Sequence, residues 1–212
     1  MPAPFAVPDR PEFVIPHVEL PEGFVTLSSD HHFGHRLVQE ERGFPTIQEM
    51  NETLVARHNA LVKPTDVFIA LGDLCMGDFA DSLSYAARLN GIKFLVPGNH
   101  DRVSEAGRFK PDYREKFRAR YEEAGFTMLP ELGVTVTIGG VRFALSHYPY
   151  TGDHTDRDRH TFFRPQDNGL HLLHGHIHGK RRIDGRMFNV GVDVNDFAPV
   201  TQTAILEWAL AA

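Results

Sequence analysis

Five short blocks of this sequence carry groups able to hold a metal ion or move a proton. They are Asp30-His31-His32, Gly72-Asp73, Gly98-Asn99-His100-Asp101, Ser146-His147 and Gly175-His176-Ile177-His178. Alone, Gly98-Asn99-His100-Asp101 reads equally well as a turn, because Gly, Asn and Asp all favour turns. The setting argues for more. Each block follows an apolar run with the look of a strand, so the same residue types recur at five successive strand ends. The chain holds thirteen histidines, several of them clustered in apolar surroundings. Imidazole nitrogens, an amide oxygen and carboxylates form a borderline donor set suited to manganese, iron, zinc or nickel. Calcium and magnesium would ask for oxygen almost throughout. Two divalent ions ~3.5–4 Å apart need a shared ligand, and a carboxylate can bridge them. Asp73, central in sequence, is the candidate bridge. Asp30 and His32, like His176 and His178, are spaced i, i+2, which on an extended backbone turns both side chains to one side.

Strands must carry these blocks, and the pattern supplies them. Phe24–Ser29 reads as a first strand. Thr46-x-x-Glu49 resembles a capping box opening a helix with Ile47, Met50, Leu54, His58 and Leu61 on one face, stopped by Lys63-Pro64. Asp66–Leu71 is the continuously apolar run of a strand covered on both faces. A helix over Ala80–Leu89 ends at Asn90-Gly91, a strand covers Ile92–Val96, and a helix covers Pro111–Ala124 with Gly125 just beyond it. After residue 126 the period becomes two. Val134–Ile138, Gly139-Gly140 and Val141–Leu145 form a hairpin signal, and further strands are expected at Gly169–Leu173, Met187–Val192 and Thr203–Trp208. An α/β half followed by a mostly β half predicts two packed sheets with helices outside. In such sheets, loops at the carboxyl ends of parallel strands gather where ligands bind.

The chain has 212 residues with no Ser/Gly linker, charge block or repeat, so a single domain is expected over 21–212. Prolines at 2, 4, 8, 11, 16 and 21 make residues 1–20 an extended N-terminal segment. A net charge of −6 is a poor footprint for long nucleic acid. The single cysteine, Cys75, excludes an intrachain disulfide and fits a reducing compartment. No run approaches the ~20 apolar residues of a membrane span, and the start lacks the features of a signal peptide. A cytoplasmic protein is the expectation.

Taken together, Asp-x-His, Gly-Asp, Gly-Asn-His-Asp, a lone His and Gly-His-x-His resemble, in order, the motifs of the calcineurin-like metallophosphoesterase superfamily, and they span Asp30 to His178. Ser29-Asp30-His31-His32-Phe33-Gly34-His35 and Asn189-Val190-Gly191-Val192-Asp193-Val194 resemble a small bacterial and phage branch of it. The resemblance implies a four-layer α/β/β/α sandwich of two mixed β-sheets flanked by helices. It places Asp30, His32 and His178 on one ion and Asn99, His147 and His176 on the second, with Asp73 shared. It makes His100 the catalytic histidine, oriented by Asp101. The reaction implied is attack by a metal-bound hydroxide on a phosphate ester, with manganese first among the candidate ions. An acidic surface and the lack of a cap domain favour a phosphodiesterase acting on small nucleotide-like diesters, cyclic ones included. Monoester or nucleotidase action and nuclease action are the alternatives. A non-catalytic scaffold is disfavoured because His100 is retained.

Other residues have weaker claims. His35 is either a substrate contact or a structural hydrogen-bonding group. His31 and His174 are expected on the opposite strand face, and His58 in the core. His17, His154, His160 and His171 receive no role. Tyr150–Asn168, with Arg157, Arg159 and Arg164, reads as a solvated loop that could border the site. Lys180-Arg181-Arg182 and Arg102 are possible contacts for a polyanion.

Overall fold

Val67-Phe68-Ile69-Ala70 has no polar side chain and is buried on both faces as strand β2 (Val67–Ala70). Its alternation divides two cores. Phe68 and Ala70 face a helical layer with Leu54, Phe117 and Tyr121, whereas Val67 and Ile69 face Leu27, Val136, Phe143, Leu173 and Phe188 of the inter-sheet core. The computed structural model describes residues 14–107 and 109–211.

Before β2 come β1 (Val25–Ser28), α1 (Arg36–Glu41) and α2 (Ile47–Leu61). After it follow α3 (Phe79–Ala87), β3 (Ile92–Leu95), α4 (Pro111–Glu123) and β4 (Phe126–Met128). The hairpin is β5 (Val134–Ile138) and β6 (Val141–Leu145), paired in register from Val134–Leu145 to Ile138–Val141. The chain ends with β7 (His171–His174), β8 (Ile183–Asp184), β9 (Met187–Asn189), β10 (Val200–Thr201) and α5 (Gln202–Leu210). One sheet has the order β10-β1-β2-β3-β4, parallel except for β10; the other is β5-β6-β7-β9-β8, with β6, β7 and β9 parallel. The architecture is therefore two mixed sheets flanked by helices, as the sequence predicts. Thr46 caps α2 by accepting from the Glu49 N–H (3.1 Å).

Three expectations need correction. Thr203–Trp208 is helix, not strand. Thr201 Oγ1 accepts from the Ala204 N–H at 3.4 Å, Ile205 and Ala209 are buried in the inter-sheet core, and Trp208 packs edge-on to His171 and Phe188 of the second sheet. Helical spacing of these few contacts outweighs the β-favouring composition. The strand predicted to reach Val192 stops at Asn189, whose Oδ1 accepts from the Gly191 N–H (2.8 Å) and turns the chain. Phe126–Met128 belongs to the first sheet as β4, so the two sheets divide after it.

Residues 1–13 of the expected N-terminal segment lie outside the described residues. The following stretch runs along the edge of β5, where Val18 N–H donates to Thr135 O and Thr135 N–H to Pro16 O. Among the described residues no helix is long and apolar enough to cross a membrane.

Candidate metal centre

Past the ends of β1 and β2 the chains stay in register, with Asp30 N–H donating to Gly72 O and His32 N–H to Asp73 O (3.0 Å each). Loops of both sheets then meet backbone to side chain. A Cβ at Gly98 would lie 2.7 Å from Asp73 N, and one at Gly175 would strike Ser29 and Asp30. Asp30, His32, Asp73, His176 and His178 have positive φ, between 47° and 71°. The i, i+2 pairs therefore do not sit on extended backbone, as the spacing predicts, but on left-handed turns that still bring the rings together. His32 and His178 stack with centroids 5.0 Å apart. Left-handed backbone costs these side chains ~1–3 kcal/mol per residue, strain that proteins keep where a site requires it.

The polar atoms converge in a way that hydrogen bonding alone does not satisfy. His147 Nδ1 donates to Leu71 O at 2.8 Å, which leaves Nε2 as a bare lone pair. That Nε2 lies 3.2 Å from Asn99 Oδ1, 3.2 Å from His176 Nδ1 and 3.5 Å from Asp73 Oδ2. His176 presents its Nδ1 as a lone pair too, since its Nε2 faces the Asp153 carboxylate. Four acceptors thus crowd one point, the arrangement a cation resolves. Nearby, ligand atoms of Asp30, His32 and His178 lie within 4.8 Å of one another. Both nitrogens of His32 are buried without a hydrogen-bond partner. Asp73 stands between the clusters. Its Oδ1 accepts from the His100 N–H (2.8 Å), while Oδ2 is 3.7 Å from His32 Nε2 and faces His147 as well. Burial pushes the Asp30 and Asp73 carboxyls up and the His32 and His147 imidazoles down, so it disfavours charge on these four groups. Bound divalent cations would reverse that balance, and the donor set fits them.

Several supporting residues escape the sequence reading. His178 donates from Nδ1 to Asp193 (3.1 Å), which turns Nε2 toward the centre. Burial opposes protonation of His178, but Asp193 and Asp30 outweigh it and raise the imidazole to about 9. Arg42, its side chain almost wholly buried, grips Asp193 with two hydrogen bonds (2.7 and 2.9 Å) and donates to Asp30 O and His31 O. The Asn189–Val194 stretch carried a signal for Asp193; nothing in the sequence marked Arg42.

The remaining expectations sort by geometry. His100 is exposed at the rim, its ring 5.4 Å from that of His32. Asp101, expected to orient it, is committed elsewhere. Its carboxylate accepts from the N–H groups of Asp73, Leu74 and Gly98 and from Tyr121 OH, which uses both oxygens twice. His35 caps α1 by accepting from the Val38 N–H and also borders the cleft. His31 turns away to Ser28 Oγ, His174 donates to Gly175 O, and His58 lies in the core against Phe68. Of the basic run, Lys180 borders the cleft, Arg181 pairs with Asp184 and Arg182 donates to Asn195. The loop over 150–168 is not simply solvated. Asp153 and Arg164 are each only 6% exposed, and His154 stands 5.3 Å from the His176 ring. The cleft itself, bounded by His32, His35, His100, His154, His178 and Lys180, holds about 490 Å³.

A two-sheet fold whose strand-end loops assemble this donor set defines a metal-dependent phosphoesterase. Residues 25–180 match the calcineurin-like phosphoesterase family, and the chain belongs to it. The gene 66 protein of Mycobacterium phage L5 is 31% identical over 176 residues, covering 79% of this chain and 85% of that protein. Its counterpart in Mycobacterium phage D29 is 31% identical over 193 residues, covering 84% and 92%. In fold, the chain is similar to the crystal structure of the protein of unknown function AQ665 from Aquifex aeolicus (TM-score 0.65, 23% identity, 88% of this chain and all of that one).

Proposed function

We propose that the protein is a phosphodiesterase of small nucleotide-like diesters, cyclic ones included, working with two divalent ions of which manganese is the first candidate. Asp30, His32 and His178 would hold one ion and Asn99, His147 and His176 the second, with Asp73 shared between them. The carrying observation is the crowding of acceptors around Asp73 Oδ2 and His147 Nε2 beside an exposed His100. Ions held there would supply Lewis-acid activation of water and charge stabilisation at the phosphoryl group.

The chain's own groups supply the rest. His100 is free to turn toward the leaving oxygen and protonate it, while its backbone N–H holds Asp73 Oδ1 and so ties the proton donor to the bridging carboxylate. Asp101 acts on both by fixing the Gly98–His100 loop against Asp73. Lys180 offers an anionic substrate a positive charge at the rim. His100 also borders a second cavity, with Arg102, Phe109 and Tyr113, on the side lined by Cys75 and Asn99. Space at two sides of the histidine supports a substrate with two ester arms. The net charge of −6 supports small substrates over long nucleic acid, in a cytoplasmic setting.

The test is hydrolysis of bis-aryl and mono-aryl phosphates with manganese, nickel, zinc and magnesium. Diester cleavage should require a transition metal and fall ~10²-fold or more in His100→Ala. Monoester cleavage far faster than diester cleavage would refute the diester assignment.

A further inference from the structure

We infer that Asp153 is a positioning residue that fixes the tautomer of His176 from the polar loop over 150–168. The inference rests on His176 being a ligand of the second ion. Asp153 Oδ2 lies 3.3 Å from His176 Nε2, and the carboxylate is 6% exposed. A carboxylate oxygen can only accept, so Nε2 carries the hydrogen and Nδ1 is left as a lone pair, 3.2 Å from His147 Nε2. Asp193 does the same for His178 from the opposite ring nitrogen. The two imidazoles of Gly-His-x-His thus present Nδ1 in one case and Nε2 in the other, and each choice is set by its own carboxylate.

The loop is built to hold Asp153 in place. Oδ1 accepts from the Thr155 N–H (3.2 Å) and from Arg159 Nη2 (3.2 Å), and Oδ2 accepts from the Arg159 N–H (3.0 Å). Arg164 Nη2 stands 3.9 Å away. A different reading would make Asp153, His154 and His176 a site for a third ion, since their ligand atoms also lie within 4.8 Å of one another. The Arg159 guanidinium argues against it. Its Nη2 is 3.2 Å from Asp153 Oδ1 and 2.8 Å from His154 Nε2, a fixed positive charge where that cation would sit.

Calorimetric titration of metal-free protein with manganese, on wild type, Asp153→Ala, Asp153→Asn and Asp193→Ala, tests the inference. Wild type should bind two ions. Asp153→Ala should weaken one ion ~10–100-fold and spare the other, and Asp193→Ala should weaken the other one. Asp153→Asn keeps an acceptor oxygen for Nε2–H but loses the charge that pairs with Arg159, so it should recover much of the affinity. Equal losses in the Ala and Asn variants would mean that the carboxylate only anchors the loop, and would overturn the proposal. Nitrogen-15 spectra of the metal-free protein give a second readout. His176 should be the Nε2–H tautomer in wild type and lose that preference in Asp153→Ala; an unchanged tautomer would also overturn it. Three ions on wild type and two on Asp153→Ala would make Asp153 a ligand instead. Wild type that binds no ion would remove the assignment of His176 itself, a failure of the parent reading distinct from the other outcomes.

Discussion

Asp101 and Asp73 belong to one cluster of loops, yet their oxygens face opposite demands. Asp101 has a donor for each of its four lone-pair sites. Asp73 has a backbone donor on Oδ1, while the groups facing Oδ2 are the imidazole nitrogens of His32 and His147. The first is a structural keystone; the second is the carboxylate proposed to be shared by two ions. Burial and the Asp73 charge both push the Asp101 carboxyl up, and the N–H groups of Gly98 and Leu74 pull it back. Asp101→Ala should therefore strand four donors and cost ~3–5 kcal/mol of stability, whereas Tyr121→Phe, which removes one donor and keeps the buried ring, should cost about 1 kcal/mol. Urea unfolding of the metal-free protein measures both. Similar losses in the two variants would show that the backbone donors contribute little. His100→Ala, at an exposed position, should leave stability within ~0.5 kcal/mol of wild type.

At the scale of elements, the seven residues proposed as ligands stand out because each lies in the loop just past a strand whose apolar run is itself legible. β1, β2, β3, β6 and β7 all appear within two residues of their expected ends. What the sequence hides are partners brought in from afar by the fold. Asp153 meets His176 across 23 residues and Arg42 meets Asp193 across 151, and no local pattern encodes either pairing. The C-terminal helix is hidden for another reason. Thr203, Ile205 and Trp208 favour strands, and only docking of Ile205, Ala209 and Trp208 between the sheets decides for helix. The contact between loops of different sheets gives a sharp prediction at Gly175. A Cβ there would come within 2.5 Å of Asp30 Oδ2 and strike the Ser29 hydroxyl, so Gly175→Ala should destabilise by ~1–3 kcal/mol and weaken the ion assigned to Asp30. Gly179, one residue past His178, has open space where a Cβ would sit, with nothing within 4 Å, so Gly179→Ala is the matched control. Equal manganese affinities in the two variants would refute the role of this close approach.

For the molecule as a whole, burying so many imidazoles ties stability to pH, and His58 isolates the effect because it lies apart from the proposed ligands. It sits on α2, 1% exposed, with its ring 4.4 Å from Phe68 and Nε2 donating to Asn90 O (2.9 Å). Burial lowers its imidazole to about 4, with the Asn90 hydrogen bond opposing and the Lys93 charge adding to the shift. In the unfolded chain the same group titrates near ~6.5. Between these values the unfolded state binds the proton and the folded state does not, so stability is fully present above ~6.5 and is lost as pH falls toward about 4. The raised carboxyls of Asp30, Asp73 and Asp101 act in the opposite sense in metal-free protein, since protonation relieves their burial. A difference measurement separates the two. Urea unfolding of wild type and His58→Gln in chelator at pH 7.5 and 4.5 should show the advantage of wild type shrinking by ~2–3 kcal/mol at the lower pH. The carboxyls are common to both proteins and cancel. An advantage that stays constant between the two pH values would mean that His58 takes up its proton as readily in the folded core as in water.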